Sequence, residues 1–185
     1  MDITLSWDLV LTVFLIIVVA MSYLLGKHQC VKLVLGTYVA MVTVQGISAI
    51  FSRIEPDYQS TLRDLSVTVD DNILSTAKLL LFVLIVVLMA LRAGLSVSYE
   101  KETLSTTNII AAGLLGLATA GLLLVTVVTF IADVPLLSPD LVNAPTLVPL
   151  IAQSTVLWTV ANLQDVLYTV PAILVLAIGF YDQWK

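Results

Sequence analysis

The sequence predicts an all-α protein, built as a polytopic bundle of membrane helices. Of its 185 residues, 59% are hydrophobic and only 11% are charged, and the mean hydropathy is +1.06. An average soluble domain is about 45–50% apolar and about 25% charged. The stretch 103–132 contains no charged residue, and about 20 apolar residues suffice to cross a bilayer. The length predicts a single transmembrane domain over residues 1–185.

Four charge-poor runs predict four crossings. The first begins at Trp7 and ends before Gly26, a residue type that commonly stops a helix. Its acidic flank is unlike the basic start of a secretory signal, and Asp8 is interpreted as an interfacial carboxylate near a helix start. Lys78 in the third run either extends its stem to the interface or faces Asp70 or Asp71. The predicted spans are 7–25, 33–52, 73–95 and 108–132, with 164–182, which contains Pro171, as a candidate fifth.

The segments between the spans predict an orientation. The short turns at 26–32 and 92–102 are basic, whereas the polar loop at 54–72 carries five carboxylates. Because short cytoplasmic loops are enriched in Lys and Arg, we expect both turns in the cytoplasm, and the N-terminus and acidic loop outside. Four prolines exclude one continuous helix over 133–149. Residues 150–162 are interpreted as a helix that lies on the surface or re-enters the membrane.

Small residues on the fourth span predict where the bundle closes. On a helix of 100° per residue they occupy one arc, which allows a second backbone to approach closely. We expect a packing seam here rather than a gate. The residues of the arc are Ala112, Gly113, Gly116, Thr119 and Ala120, with Gly121 directly after them.

The second span carries a polar stripe. Tyr38, Gln45, Ser48 and Ser52 occupy about 100° of one face, with Thr37 beside them. Amides and hydroxyls on a membrane helix either bond to neighbouring helices or line a water path. Hydrogen bonding between helices is the more common use, and Gln45 is the residue to mutate first if transport is claimed.

Nothing in the sequence favours catalysis or a cofactor. The sequence has one cysteine, Cys30, and one histidine, His28, so it predicts neither an internal disulfide nor a metal site. No Gly-rich phosphate loop or nucleophile arrangement is present. The net charge of −5 argues against nucleic acid as a partner. The expected partners are the lipid bilayer and other membrane protein chains.

The order of these parts resembles the colicin V production protein family of bacterial inner-membrane proteins. The resemblance rests on the Gly26-Lys27 turn, on Arg92 after the third helix, and on a last helix that opens with Asn and carries spaced glycines, here Asn108, Gly113, Gly116 and Gly121. It covers most of residues 5–160. It implies a four-helix inner-membrane protein that is linked to toxin production or export and to envelope maintenance.

Three functions are therefore open at the level of sequence. The first is a non-enzymatic membrane protein of the colicin V production type. The second is an accessory structural subunit of a larger membrane complex. The third is a small channel or transporter that uses the polar stripe around Gln45.

Overall fold

The computed structural model describes residues 6–64, 71–92 and 106–183, and all regular structure in these ranges is helical. This confirms the all-α prediction for the described residues. The elements are α1 (Trp7–Leu25), α2 (Lys27–Asp64), α3 (Asp71–Arg92), α4 (Thr106–Ala132), a 3₁₀ helix (Pro139–Asn143), α5 (Val148–Ile151), α6 (Thr155–Asn162) and α7 (Gln164–Gln183).

The first helix begins and ends where its residues predict. Ser6 lies before α1, and its hydroxyl accepts a hydrogen bond from the Leu9 N–H at 3.2 Å, which satisfies one of the free donors of the first turn. Gly26 ends α1 with a φ of 77°, a conformation that glycine adopts without steric cost. The expected basic turn at 26–32 is wrong in detail, because Gly26 alone forms the break and Lys27 already begins α2.

The second helix is longer than the sequence predicts. We expect a span at 33–52 followed by a polar loop at 54–72, but α2 continues through Pro56 to Asp64. The change from apolar to polar residues therefore does not mark the end of this helix. The rest of the predicted loop before Asp71 lies outside the described residues.

The region after α4 is irregular, as its prolines predict. It contains turns, the 3₁₀ helix and the single-turn α5. The segment 150–162 is not one helix, because α5 ends at Ile151 and α6 begins only at Thr155. The axes of α6 and α7 then differ by 66° across a break at Leu163.

The fourth helix lies at the centre of the bundle and contacts α1, α2, α3, α6 and α7. In the most apolar 18-residue segment of each helix, 72% is buried in α4, against 33% in α2 and 6% in α1. The core around α4 includes Phe82 of α3 and Phe130 of α4, whose ring centroids lie 5.3 Å apart.

Three helices in the described ranges are long and apolar enough to cross a membrane. They are α1, α2 over Lys27–Ile50, and α4 over Ile109–Ala132. The bent pair of α6 and α7 adds a fourth candidate if it is counted as one span. The predicted span at 73–95 contains a shorter apolar segment, Ser75–Ala90.

Candidate functional site

Two glycines of the small-residue arc lie against α1. A β-carbon built on Gly116 would lie 2.6 Å from the Ser22 Cβ and 3.6 Å from the Val19 Cα, and a β-carbon on Gly113 would meet the Tyr23 hydroxyl. Real β-carbons do not approach other carbons this closely, so the seam between α1 and α4 depends on the missing side chain at position 116. The order of these pairs also shows that α1 runs antiparallel to α4.

The other members of the arc are buried, and they do not all face α1. Ala112 and Ala120 are in the core, and the buried Thr119 hydroxyl donates to the Leu115 carbonyl of its own helix at 2.6 Å. Gly121 faces α7, where a β-carbon would lie 2.7 Å from the Leu167 Cδ2. The small residues of α4 therefore contribute to contacts on more than one side.

The predicted polar stripe of α2 is partly used for bonds inside the bundle. The Tyr38 hydroxyl donates to the Tyr168 carbonyl of α7 at 2.5 Å, and Thr37 donates to the Leu33 carbonyl at 2.8 Å. Gln45 and Ser48 are half-buried. The side chain of Ser52 lies outside the described residues.

The bond from Tyr38 reaches α7 close to its internal proline, Pro171. Pro171 lacks the N–H that would bond to the Leu167 carbonyl. The neighbouring Tyr168 carbonyl is the one that accepts the Tyr38 hydroxyl. A side chain of α2 thus bonds to the backbone of α7 within one turn of Pro171.

Tyr168 itself is buried and links α7 to α4. Its hydroxyl lies 2.9 Å from the Thr129 Oγ1, and that oxygen is also 2.8 Å from the Val125 carbonyl. Because the Thr129 hydroxyl has one proton, which it donates to the carbonyl, Tyr168 donates to Thr129. Sequence analysis missed this pair, since neither residue belongs to a recognisable stripe.

Asp8 joins the start of α1 to the start of α6. Its carboxylate accepts from the Ser154 hydroxyl at 2.5 Å and from the Val156 N–H at 3.1 Å. Ser154 in turn caps α6 by accepting from the Leu157 N–H at 3.0 Å. The sequence predicts Asp8 near a helix N-terminus, and the structure shows that this N-terminus is that of α6 as well as that of α1.

Lys78 pairs with a carboxylate that the sequence did not indicate. Its ammonium lies 2.6 Å from the Asp133 Oδ1, and the side chains are 16% and 38% exposed. Asp133 directly follows α4 and has a φ of 53°. The side chains of Asp70 and Asp71 lie outside the described residues, so a contact of Lys78 with either of them stays a prediction. The pairing arises because α3 runs antiparallel to α4, which brings the first turns of α3 to the end of α4.

The contacts of Asp8 and Lys78 lie at one end of the bundle. We call it the polar end, and it comprises the start of α1, the first turns of α3, the end of α4, α6 and the start of α7. Gln164 adds a further bond there, since its side-chain amide donates to the Ser138 carbonyl at 2.7 Å. Contacts of this kind join residues far apart in sequence. A Ser before a short apolar run indicates a helix cap, but it does not indicate which carboxylate will join it.

The surface between α1 and α4 carries an open apolar groove of about 380 Å³. It is lined by Leu15, Ile16, Val19, Ala20, Tyr23 and Leu117. In the described residues no group of three His, Cys, Asp or Glu side chains is placed to hold a metal ion. The side chains that line the groove offer apolar contact.

The comparisons with known proteins found no relative of this chain. The chain matches no family model, no curated protein and no solved structure. The resemblance to the colicin V production family stays a prediction.

Proposed function

We propose that the protein is a multi-pass integral membrane protein with a structural, non-enzymatic role. The observation that carries the membrane assignment is the low burial of α1, which is the most hydrophobic of the three candidate spans. Helix α1 is free of charged residues after Asp8, yet only 6% of its most apolar 18-residue segment is buried. Apolar surface on this scale requires a non-aqueous environment, and a bilayer provides it along the whole helix.

We further propose five crossings, by α1, α2, α3, α4 and α7. The antiparallel pairs α1–α4 and α3–α4 support it. Helix α7 starts beside the end of α4, because Gln164 bonds to Ser138, and Leu167 then reaches back to Gly121. Helix α7 therefore also runs antiparallel to α4. With 20 residues at about 1.5 Å each, α7 is about 30 Å long and matches the hydrocarbon core.

The orientation we propose places the polar end outside and the joint at Gly26 in the cytoplasm. The basic residues near that joint support it, since Lys27 and Lys32 open α2. The predicted basic turn at 92–102 also carries Arg92 and Lys101. Its residues after Arg92 lie outside the described residues. In a bacterium this membrane is the inner membrane.

Cysteine labelling in intact cells tests both the crossings and the orientation. Cys30 is buried and is replaced by Ala, and single cysteines are then placed at the exposed Gln153 and the half-buried Gln29. A membrane-impermeant maleimide should label position 153 in intact cells and position 29 only after permeabilisation. The reverse pattern would overturn the orientation. Labelling of both positions in intact cells would overturn the odd number of crossings between them.

Of the predicted roles, the structural ones have the better support. The hydroxyls of Tyr38 and Thr37 are engaged inside the bundle, and the groove on α1 and α4 is apolar. A channel through the Gln45 stripe stays a prediction, and an ion-flux assay on liposomes with Gln45→Leu tests it. If the variant abolished a flux that the parent protein carries, the structural role would be wrong.

The colicin V production role and the accessory-subunit role both involve other membrane chains. The mass of the complex extracted in mild detergent separates a subunit from a protein that works alone. A stoichiometric companion chain supports the subunit role. A particle with the mass of this chain alone, recovered in several mild detergents, contradicts it.

A further inference from the structure

The segment 141–164, which ends at the break between α6 and α7 and which we call the elbow, exposes apolar surface and contains no charged residue. No Asp, Glu, Lys, Arg or His occurs between Asp140 and Asp165. Within this stretch Val148, Trp158 and Leu163 are exposed, and Trp158 is 53% exposed. A water-exposed surface typically has charged side chains at about 25–35% of its positions, so this elbow is not a typical solvated loop.

The contact with Asp8 fixes the level of α6 relative to α1. Ser154 and Val156, at the start of α6, bond to the Asp8 carboxylate in the first turn of α1. Trp7 precedes Asp8 and is exposed, and Trp158 lies one turn after Ser154. Two exposed tryptophans therefore occur at the same end of the bundle, which is the arrangement of an aromatic belt at a membrane surface.

The exposed surface of α7 continues to this elbow. Val166, Val170, Ile173 and Phe180 are all exposed and lie within about 80° of one another on the helix. This is the face that meets lipid if α7 crosses the bilayer. Leu163 extends the exposed apolar surface across the break to α6, so the elbow is continuous with the lipid-facing side.

Length and angle place α6 along the membrane surface. Its eight residues span only about 12 Å, too short to cross a core of about 30 Å, and α7 is long enough alone. Transmembrane helices tilt by about 20° on average. A bend of 66° from such an axis brings α6 nearer to the membrane plane than to the normal.

We propose that α6 lies in the interfacial layer of a zwitterionic phospholipid bilayer, with the Trp158 indole among the lipid headgroups. The inference rests on the proposed function, in that α7 crosses the membrane. A neutral headgroup fits because, among the side chains that the structure describes, the charged groups around the elbow are the carboxylates of Asp8, Asp133 and Asp165, and Lys78 is paired with Asp133. Apolar and aromatic contact, with the indole N–H as a donor, anchors α6 without basic residues.

Depth-dependent fluorescence quenching tests the proposal in phosphatidylcholine liposomes. Trp7→Phe with Trp184→Phe leaves Trp158 as the single tryptophan. A matched variant adds Trp158→Phe and Leu176→Trp, which places the probe at an exposed position within α7. Bromine-labelled phosphatidylcholines with the label near the glycerol or near the chain end report the depth of each probe. Iodide reports access from water.

We expect Trp158 to be quenched more by the shallow label than by the deep one, and position 176 to show the opposite order. Quenching of Trp158 by iodide alone, with position 176 quenched by lipid, would overturn the inference and leave the crossing of α7 intact. Deep quenching of Trp158 would show that α6 enters the core. Protection from both reagents would show that a protein covers the elbow. If neither bromine-labelled lipid quenches the probe at position 176, α7 does not cross the membrane and the proposed function itself fails.

Two further measurements keep the test decisive. If the double substitution does not yield folded protein, the difference in quenching between the parent protein and Trp158→Phe reports the same depth. Replacing a third of the phosphatidylcholine with phosphatidylglycerol should leave the depth of Trp158 unchanged. A requirement for the anionic lipid would overturn the zwitterionic assignment.

Discussion

Adding one methyl group at Gly116 should separate α1 from α4. The new β-carbon of Gly116→Ala would lie 2.6 Å from the Ser22 Cβ and 2.8 Å from the Ser22 Oγ. Carbon atoms in ordinary contact lie about 3.5–4.0 Å apart, so the helices must move apart by about 1 Å. The Ser22 Cβ is attached directly to the backbone and does not move by a change of rotamer.

The expected magnitude comes from two opposing effects. Overpacking of this kind costs about 1–3 kcal/mol, while replacing a glycine inside a helix by alanine gains about 0.8–1.0 kcal/mol. Gly116→Ala should therefore lower the free energy of unfolding by up to about 2 kcal/mol. Gly46→Ala is the matched control, because nothing lies within 4 Å of its β-carbon position, and it should be neutral or stabilising.

The assay is reversible unfolding in mixed micelles of a mild detergent and SDS, followed by tryptophan fluorescence. A double-mutant cycle isolates the clash from other effects. Ser22→Gly removes the opposing β-carbon and should recover most of the loss caused by Gly116→Ala. Ser22→Ala retains that carbon and should recover little. Equal stability changes for Gly116→Ala and Gly46→Ala, or equal recovery by both Ser22 variants, would refute the close seam between α1 and α4.

Three other substitutions test the polar contacts. Asp133→Asn should lower the free energy of unfolding by about 1–3 kcal/mol in the same assay, more than Lys78→Met does, because it removes the carboxylate that the partly buried ammonium contacts. Asp8→Ala should lower the free energy of unfolding and speed hydrogen exchange at the Val156 N–H, which loses its acceptor. Tyr38→Phe should cost about 1 kcal/mol and shift the infrared band of a carbon-13-labelled carbonyl in α7.

Each of these has its own control. Asn adopts a positive φ more readily than most residues, so Asp133→Asn removes the charge without new strain at φ 53°. If Lys78→Met lowers the free energy of unfolding more than Asp133→Asn does, the cost of leaving the ammonium without its carboxylate is not the main effect. Asp8→Asn retains one acceptor and should be milder than Asp8→Ala. An unchanged exchange rate at Val156 or an unchanged carbonyl band would contradict the respective contact.

The helices that end at a change of composition could be predicted from the sequence. Helix α1 is bounded by the Ser6 cap and by Gly26, and α4 coincides with the long uncharged run before Asp133. The end of α2 could not be predicted in this way, because α2 continues past the last apolar run and through Pro56 to Asp64, where the composition is already polar.

The contacts of the polar end also could not be predicted. Asp8 and Ser154 are separated by 146 residues, and Lys78 and Asp133 by 55. Each sequence position indicates a need for a partner, since a charge or a helix end must be satisfied. Which partner meets that need depends on which helices pack against each other. A single sequence carries no local signal for that arrangement.

The single residue between α1 and α2 bears on the biogenesis of the protein. Gly26 joins two apolar helices, and the Cys30 thiol already lies 3.5 Å from the Ser22 carbonyl, whereas eight residues of continuous helix extend about 12 Å. With so short a connection, we expect the ribosome to deliver the two helices to the insertion machinery as a preformed hairpin. Lengthening the linker there should uncouple their entry into the bilayer.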